Sequence, residues 1–292
     1  MSYDVTVQAY AKVNLFLRVV GRRPDGYHLI ESLVAFADVH DTIAVRRASG
    51  LHLTIEGPFA SELGDPVGDN LVYRAAEALR SAYAIRDGAD ILLTKNLPVA
   101  SGIGGGSADA AAALTALCRL WRIGAGAAQL AELGLNLGAD VPVCLAGVPA
   151  LMSGIGETVT PVGPLPPCGI LLVNPRVAVS TACVFRARGA PFSMSGTYDR
   201  NILAKLKSAD RLAALLALND NDLAAAACEL APEIPWALKA IEATRGCLLA
   251  RMSGSGATCF GLYADAAAAA AAAARVTLAH PAWWVAPGSL RD

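Results

Sequence analysis

The sequence lacks any strong excess of charge of one sign. Its 292 residues contain 24 Lys and Arg against 25 Asp and Glu, which gives a formal net charge of -1. An even balance gives no electrostatic reason to expect nucleic acid or an anionic membrane as a partner. Basic groups that bind an anionic ligand must therefore be few and local.

The sequence also lacks the cysteine spacings of a zinc site. Its 7 cysteines are odd in number, widely spread and mostly set among apolar residues, which predicts buried thiols in a reducing cytoplasm.

The residues after Met1 show no basic region followed by an apolar core, so no secretory signal is predicted. The long apolar tract at 266–274 is all alanine, which predicts a helix rather than a membrane span.

Length and composition predict two domains. With 292 residues, of which 54% are hydrophobic, the chain can bury large cores and is near the size at which chains divide. The Pro-rich residues 161–167 form the best boundary, so we predict domains at 1–163 and 164–292. Strand-like and helix-like segments alternate, which favours an α+β or α/β protein with two layers in each domain.

The most informative segment is a glycine-rich loop at residues 98–109, PVASGIGGGSAD. Its glycines are Gly102, Gly104, Gly105 and Gly106. They allow positive φ and a close approach of the main chain to a ligand. A strand is predicted before the loop at 89–96 and a helix after it, whose first N–H groups would suit a polyphosphate. A tight turn whose glycines serve packing is the alternative.

Two familiar phosphate-binding loops are excluded. A Walker A loop ends in Gly-Lys-Ser or Gly-Lys-Thr, whereas Gly106 is followed by Ser107 and Ala108. The dinucleotide-binding loop requires an acidic residue about 20 positions later, at the end of a second strand, whereas residues 130–134 continue a helical pattern. The glycine-rich loop is therefore neither a Walker A loop with its lysine nor a dinucleotide-binding loop.

Hydrophobic periodicity predicts the remaining elements. Strands are expected near residues 4–20, 42–47, 51–56, 169–173, 248–252 and 259–263. Helices are expected near residues 70–86, 127–137, 211–218, 223–230 and 234–243, and the helix after the glycine-rich loop is expected to reach Trp121. Residues 21–28 and 253–257 are predicted to be loops.

Three polar residues stand out within or beside apolar segments. Lys12 and Asn14 interrupt the first predicted strand, where polar groups cost stability unless they have partners. A lysine whose stem alone is buried is the alternative for Lys12. Asp140 precedes the apolar run 141–144, which is strand-like or helical, and it is either a helix cap or a catalytic carboxylate.

Three ordered motifs resemble those of the GHMP kinases. They are residues 11–17 (AKVNLFL), residues 97–109 (LPVASGIGGGSAD) and residues 252–257 (MSGSGA). Within that superfamily, the first motif and the following residues 23–28 (RPDGYH) are similar to the kinases of 4-(cytidine 5'-diphospho)-2-C-methyl-D-erythritol. The resemblance runs from about residue 8 to residue 263.

The resemblance implies a fold and an activity. The expected fold is α+β, a two-domain GHMP architecture with an N-terminal domain like domain 2 of ribosomal protein S5 and a C-terminal α/β sandwich. The expected reaction is ATP-dependent phosphorylation of the 2-hydroxyl of that cytidine compound, on the non-mevalonate route to isoprenoid precursors. Mg²⁺ would arrive on ATP with waters retained. We expect a cytoplasmic monomer or weak homodimer that binds neither nucleic acid nor a membrane.

The resemblance also assigns roles to residues. Lys12 and Asp140 match the catalytic pair, in which the carboxylate takes the proton of the acceptor hydroxyl and the ammonium favours the ionised carboxylate. The positions that match ATP contacts are Lys95, Asn96, Pro98, Gly102, Gly104, Gly105, Gly106 and Ser107. The positions that match substrate contacts are Asn14, Tyr27, His28, Thr181 and Phe185.

The cytosine would be held by aromatic residues. Tyr27 and His28 match the positions that hold the base, by stacking and by hydrogen bonds to its Watson–Crick edge, and Phe185 matches the second stacking ring. A core position for Phe185 and an ordinary loop position for His28 are the alternatives.

Two other functions stay open from the sequence. Another GHMP enzyme, acting on homoserine or a sugar, would share the glycine-rich loop but has no need of Tyr27, His28 and Phe185. A non-catalytic nucleotide-binding regulator predicts the loss of Lys12 or Asp140, and both residues are present.

Overall fold

The computed structural model describes residues 2–64, 67–189, 191–196, 202–203 and 205–291. The chain folds into two compact units that interleave along the sequence. The first unit contains Met1–Ala11, His40–Val99 and Gly104–Gly147, and the second contains Lys12–Val39, Ala100–Ile103 and Val148–Asp292. The division into sequence domains at 1–163 and 164–292 stays a prediction.

Strands and helices alternate in both units, which confirms the α+β class. The strands are β1 (Val5–Arg22), β2 (His28–Ala48), β3 (Leu51–Glu56), β4 (Gly88–Thr94), β5 (Ala150–Gly154), β6 (Thr158–Pro161), β7 (Gly169–Asn174), β8 (Leu249–Met252), β9 (Cys259–Tyr263) and β10 (Trp284–Ser289). The helices are α1 (Leu71–Ala82), α2 (Gly105–Trp121), α3 (Ala127–Leu137), α4 (Val141–Ala146), α5 (Thr181–Ala187), α6 (Ala209–Leu216), α7 (Ala224–Leu230), α8 (Glu233–Glu242) and α9 (Ala266–Ala279).

In the first unit, β4 lies between β3 and the C-terminal part of β2. It runs parallel to β3 and antiparallel to β2, with Thr94 opposite Thr42. Ile91 and Leu93 are buried because every second side chain of a strand points to the same face. This pairing places the end of β4, and the loop that follows it, beside the start of the paired part of β2.

Helices α1 and α2 cover the core of the first unit. Asn70 caps α1 by accepting a hydrogen bond from the N–H of Val72 at 2.9 Å. Helix α1 ends at Ala82, four residues before the predicted end at 86, because Ala84 has a φ of +50° that a right-handed helix does not allow. Helix α2 is buried on most of its surface, and its alanines let α1 and α4 pack closely against it.

The second unit contains a four-stranded antiparallel sheet in the order β10, β7, β9, β8. The two central strands, β7 and β9, are buried along their whole length. Burial on both faces produces continuous apolar runs, which is why the sequence predicted these strands well. Helices α8 and α9 pack on the sheet, and the N-terminal part of β2 pairs separately with β5 in the same unit.

Several elements were not predicted from the sequence. They are the part of β2 before residue 42, together with β5, β6, β10 and α5. Polar residues such as Glu31, Ser32 and Asp41 interrupt the apolar pattern of β2. The run 141–144, which the sequence left open, is the helix α4.

The seven cysteines are free thiols, but only Cys168 and Cys259 are buried, and the other five are half-buried. The expectation of buried thiols therefore holds for two of them. Among the described residues, no helix is long and apolar enough to cross a membrane.

Candidate functional site

Residues of all three sequence motifs meet in one hydrogen-bonded network of the second unit. Lys12 Nζ donates to Asn14 Oδ1 at 2.9 Å, and the Lys12 main-chain N–H donates to Ile103 O at 3.0 Å. The Asn14 N–H donates to Ser253 Oγ at 3.1 Å, and Ser253 Oγ donates to Gly102 O at 3.0 Å. Strand β1 is thereby bound to both small-residue loops.

The side chains of Lys12 and Asn14 are buried and have polar partners. Asn14 Nδ2 donates to Ser32 Oγ at 2.8 Å, and Ser32 Oγ donates to Phe16 O at 2.6 Å. Lys12 is only 4% exposed, so it is not a lysine that extends its ammonium into water. Asn14 therefore fixes the direction of the Lys12 ammonium, and the catalytic role of Lys12 stays a prediction.

The loop between β8 and β9 packs main chain against main chain on Gly102. Gly102 has a φ of +76°, and a Cβ there would lie 2.6 Å from Ser253 O. Gly254 has a φ of +55°, and its Cβ would lie 2.7 Å from Gly102 O. Asn221 Nδ2 donates to Gly254 O at 2.8 Å and holds the loop from its other side. Both glycines are required by conformation and by space.

His28 and Phe185 form a stacked pair in the second unit. Their ring centroids are 4.9 Å apart and their planes differ by 22°. Phe185 is half-buried and also packs against the core, which agrees with its alternative core position. Its stacking on a cytosine stays a prediction. Tyr27, in contrast, is 62% exposed. The enclosure of a base between Tyr27 and Phe185 stays a prediction.

The surroundings of His28 favour its neutral form. Burial lowers the pKa of His28, and the positive charges of Arg22 and Arg188 lower it further. A neutral imidazole has one donor and one acceptor nitrogen, which suits recognition of a nucleobase edge. Helix α5 carries both Phe185 and Thr181, whose Oγ1 is 2.8 Å from Ser255 Oγ.

In the first unit, the ammonium of Lys95 lies between two carboxylates. Lys95 Nζ donates to Asp109 Oδ2 at 2.7 Å and also to Asp41 Oδ2. Burial opposes the charge on Lys95, but the two carboxylates outweigh it and raise the pKa of Lys95. Burial also raises the pKa of Asp109, to about 8, with Lys95 opposing and Asp41 adding to the rise. Contact of Lys95 with ATP stays a prediction, while its contacts with the carboxylates are direct.

The glycine-rich loop leads into α2 through a left-handed residue. Gly104, the N-cap, has a φ of +62°, and the N–H of Ala108 makes the first helical hydrogen bond, to Gly104 O at 2.8 Å. The N–H groups of residues 105–107 therefore precede that bond in the helix. A Cβ on Gly105 would lie 3.2 Å from Lys95 Nζ, and one on Gly106 would make only ordinary contact.

Asp140 precedes α4 with helical backbone angles. Within the described part of the chain, its side chain accepts no capping hydrogen bond from the first turn. Asp140 is therefore the N-cap residue of α4 by position but not through its side chain, and its catalytic role stays a prediction. Asp140 belongs to the first unit and Lys12 to the second, so the pairing of the two stays a prediction.

Sequence reasoning missed several polar residues of these clusters, among them Ser32, Asp41 and Asn221. A charged residue within a strand, the signal that singled out Lys12, could have found Asp41. It was overlooked because the strand around Asp41 was predicted to begin only at residue 42.

Family models match two segments of the chain. The model of the GHMP kinase N-terminal domain matches residues 70–148, and that of the C-terminal domain matches residues 202–281. Together they cover more than half of the sequence. The chain belongs to the GHMP kinases.

Full-length relatives agree with this assignment. The chain is 52% identical, over 98% of its length and 98% of the relative's, to a 4-diphosphocytidyl-2-C-methyl-D-erythritol kinase of Paramagnetospirillum magneticum. A solved 4-(cytidine 5'-diphospho)-2C-methyl-D-erythritol kinase is 32% identical, with a TM-score of 0.79 over 99% of this chain and 100% of that one. A homoserine kinase of Cytophaga hutchinsonii, 20% identical over 98% and 94% of the two chains with a TM-score of 0.74, shares the fold.

Membership confirms the predicted two-domain architecture of this GHMP kinase. GHMP kinases are ATP-dependent, so ATP is implied as the phosphoryl donor. A small molecule as the phosphoryl acceptor agrees with this identity.

Proposed function

We propose that this GHMP kinase transfers a phosphoryl group from ATP to the 2-hydroxyl of 4-(cytidine 5'-diphospho)-2-C-methyl-D-erythritol, on the non-mevalonate route to isoprenoid precursors. The names of its full-length relatives supply the acceptor. The structural observation that carries the proposal is the stacked pair of His28 and Phe185, which lies in the same unit as the buried pair of Lys12 and Asn14.

The proposed catalytic groups are Asp140 and Lys12. The ionised carboxylate of Asp140 accepts the proton of the acceptor hydroxyl as its oxygen bonds to phosphorus, the task of a general base in phosphoryl transfer. The ammonium of Lys12, held by Asn14 at 2.9 Å, offsets negative charge on the reacting oxygens. ATP supplies the γ-phosphoryl group, whose bond to the bridging oxygen of the β-phosphate breaks so that ADP leaves.

The acceptor would be recognised through its base and its diphosphate. Tyr27 and Phe185 present aromatic faces to the cytosine, and neutral His28 offers a hydrogen bond to its polar edge. Thr181 lies on the same helix as Phe185 and would contact the substrate there. The positive charges of Arg22 and Arg188 near His28 suit a diphosphate.

The ATP phosphates would lie at the glycine-rich loop. Main-chain N–H donors would come from Gly102, Gly104, Gly105, Gly106 and Ser107. Lys95 and Asn96 lie in the turn that leads into the loop, and Pro98 is the first residue of the loop. Asn96 Nδ2 donates to His40 O at 3.2 Å, and the Asn96 main-chain N–H donates to Asp41 Oδ1 at 2.5 Å, so Asn96 would act on the nucleotide by holding the turn in place. Mg²⁺ would be held chiefly by the ATP phosphates and waters, and no residue of the chain is assigned as its ligand.

The remaining features are proposed from the sequence. The domains correspond to residues 1–163 and 164–292, and the enzyme works in the cytoplasm as a monomer or weak homodimer. The near-neutral charge of -1 supports a small-molecule acceptor rather than a nucleic acid or a membrane surface.

A coupled ADP-release assay tests the proposal. The purified enzyme is given ATP, Mg²⁺ and one of three acceptors: the cytidine diphosphate compound, homoserine or galactose. We expect turnover with the first and background rates with the other two, and Lys12→Met serves as the inactive control. Turnover with homoserine or galactose alone would assign the other GHMP activity.

A further inference from the structure

We infer that Asp41 is a positioning residue for nucleotide binding, which acts through Lys95 and the main chain of Asn96 and Leu97 on the glycine-rich loop. The inference rests on the proposed binding of ATP at that loop. Asp41, in the C-terminal half of the long strand β2, is fully buried.

The carboxylate of Asp41 binds the turn that leaves β4. Its Oδ1 accepts hydrogen bonds from the N–H groups of Asn96, at 2.5 Å, and Leu97, at 2.8 Å. Asn96 Nδ2 donates to the neighbouring His40 O at 3.2 Å. Hydrogen bonds to a charged group are short and strong, so the turn directly before Pro98 is fixed to β2.

The same carboxylate reaches α2 through Lys95. Asp41 Oδ2 accepts from Lys95 Nζ, which also donates to Asp109 Oδ2 at 2.7 Å in the first turns of the helix. Lys95 thus joins both ends of the glycine-rich loop to one residue of β2. Among the described residues, the other oxygen of Asp109 has no hydrogen-bond partner, so Asp109 is held through Lys95.

The main chain of Lys95 is fixed as well. Its N–H donates to Glu56 O at 2.7 Å, and its carbonyl accepts from the N–H of Phe59 at 3.2 Å. The side chain is only 2% exposed. A lysine held at its main chain and between two carboxylates is suited to orient the loop, rather than to reach out to a phosphate as a flexible cation.

The two possible roles of Asp41 predict opposite effects on ATP binding. If the carboxylate merely neutralises a lysine that contacts phosphate, removing its negative charge near a polyphosphate should leave binding unchanged or tighten it. If Asp41 positions the loop, the same change should weaken binding despite the favourable change in charge.

The experiment measures the Kd for ATP of Asp41→Asn by calorimetry, and the KM of the cytidine acceptor at saturating ATP. We expect the Kd for ATP to rise at least about tenfold, while the acceptor KM stays within about twofold. Unchanged or tighter ATP binding overturns the inference. A parallel rise of both constants also overturns it, because that pattern indicates general loss of structure.

Asp90→Asn is the matched control. Asp90 lies on β4 in the same unit and pairs with Arg46 at 2.8 Å, so its removal takes away one carboxylate without touching the loop. Its Kd for ATP should equal that of the parent. If Asp41→Asn does not fold, Asp41→Glu replaces it in the experiment. Glutamate keeps the negative charge and changes only its position, so weaker ATP binding by this variant supports the positioning role. ATP binding equal to that of the parent overturns the inference.

The test also separates the inference from the proposed function. A parent enzyme that binds ATP but does not phosphorylate the cytidine compound contradicts the proposed acceptor alone. In that case the Kd for ATP of the parent and of the same variants still decides the role of Asp41, provided that their melting temperatures are equal.

Discussion

At the scale of single residues, chemistry depends on polar groups that are buried with defined partners. Lys12 and Asn14 are 4% and 2% exposed, and each would destabilise the fold if left without a hydrogen bond. Their mutual bond and the contact with Ser32 remove that cost. Asp140 stands at the start of α4, where its side chain makes no capping hydrogen bond within the described residues.

Asp140→Asn tests the proposed base. The amide keeps the shape of the side chain but cannot accept the proton of a hydroxyl, so kcat should fall at least about 100-fold. The melting temperature should stay close to that of the parent, since asparagine is equally compatible with a helix N-terminus. Steady-state kinetics and thermal unfolding of the same preparations check both expectations.

The control for this prediction is Asp87→Asn. Asp87 forms an exposed ion pair with Arg47, which contributes little to stability, and kcat should not change. If Asp140→Asn retained turnover within about tenfold of the parent, Asp140 would not be the base.

At the scale of elements, β4 and α2 are joined by a buried cluster of three ionisable groups, Lys95, Asp41 and Asp109. Burial raises the pKa of Asp109 to about 8, well above the value of about 3.9 for an unfolded aspartate. The folded protein therefore keeps a proton that the unfolded chain releases. Between roughly pH 4 and pH 8, this difference makes the protein less stable as pH rises.

The pH dependence of stability tests that cluster. Denaturant unfolding between pH 6 and pH 8 should show the parent losing up to about 1.4 kcal/mol per pH unit from this group. Asp109→Asn, which mimics the protonated carboxyl group, should lose much less over the same range. Parallel curves for parent and variant would mean that Asp109 titrates normally, whatever other groups contribute.

Elements differed in how well the sequence predicted them, for physical reasons. Strands β7 and β9 lie at the centre of their sheet and are buried on both faces, which leaves a continuous apolar run. Strands β5, β6 and β10 are only partly buried and carry a weak pattern. Helix α2 was predicted to its end at Trp121 because the residues after the glycines are rich in alanine and leucine, both strong helix formers.

Residues of the candidate site were predicted where they belong to a sequence motif. They were missed where only tertiary contacts bring them to the site. Lys12, Asn14 and Gly102 belong to motifs, and the structure brings them together through Ser253. Asp41 contacts residues that lie 54 to 56 positions away in sequence. No local pattern encodes such a contact.

At the scale of the whole molecule, the two units use the chain in an interleaved way. Strands β1 and β2 each contribute to both, an arrangement that a search for one boundary along the sequence could not find. The order of motifs did predict family and fold, because it reflects ancestry shared with full-length relatives. Specificity for the phosphoryl acceptor is the property of the whole molecule on which the proposed function depends.

The most direct test is the ratio of kcat/KM for the cytidine diphosphate acceptor and its uridine analogue, at saturating ATP. Replacing the 4-amino group by a carbonyl turns a hydrogen-bond donor into an acceptor and leaves its partner in the site unpaired. We predict a preference for the cytidine compound of at least about tenfold. Equal kcat/KM for the two acceptors would contradict a cytosine site at Tyr27, His28 and Phe185, and with it the proposed substrate.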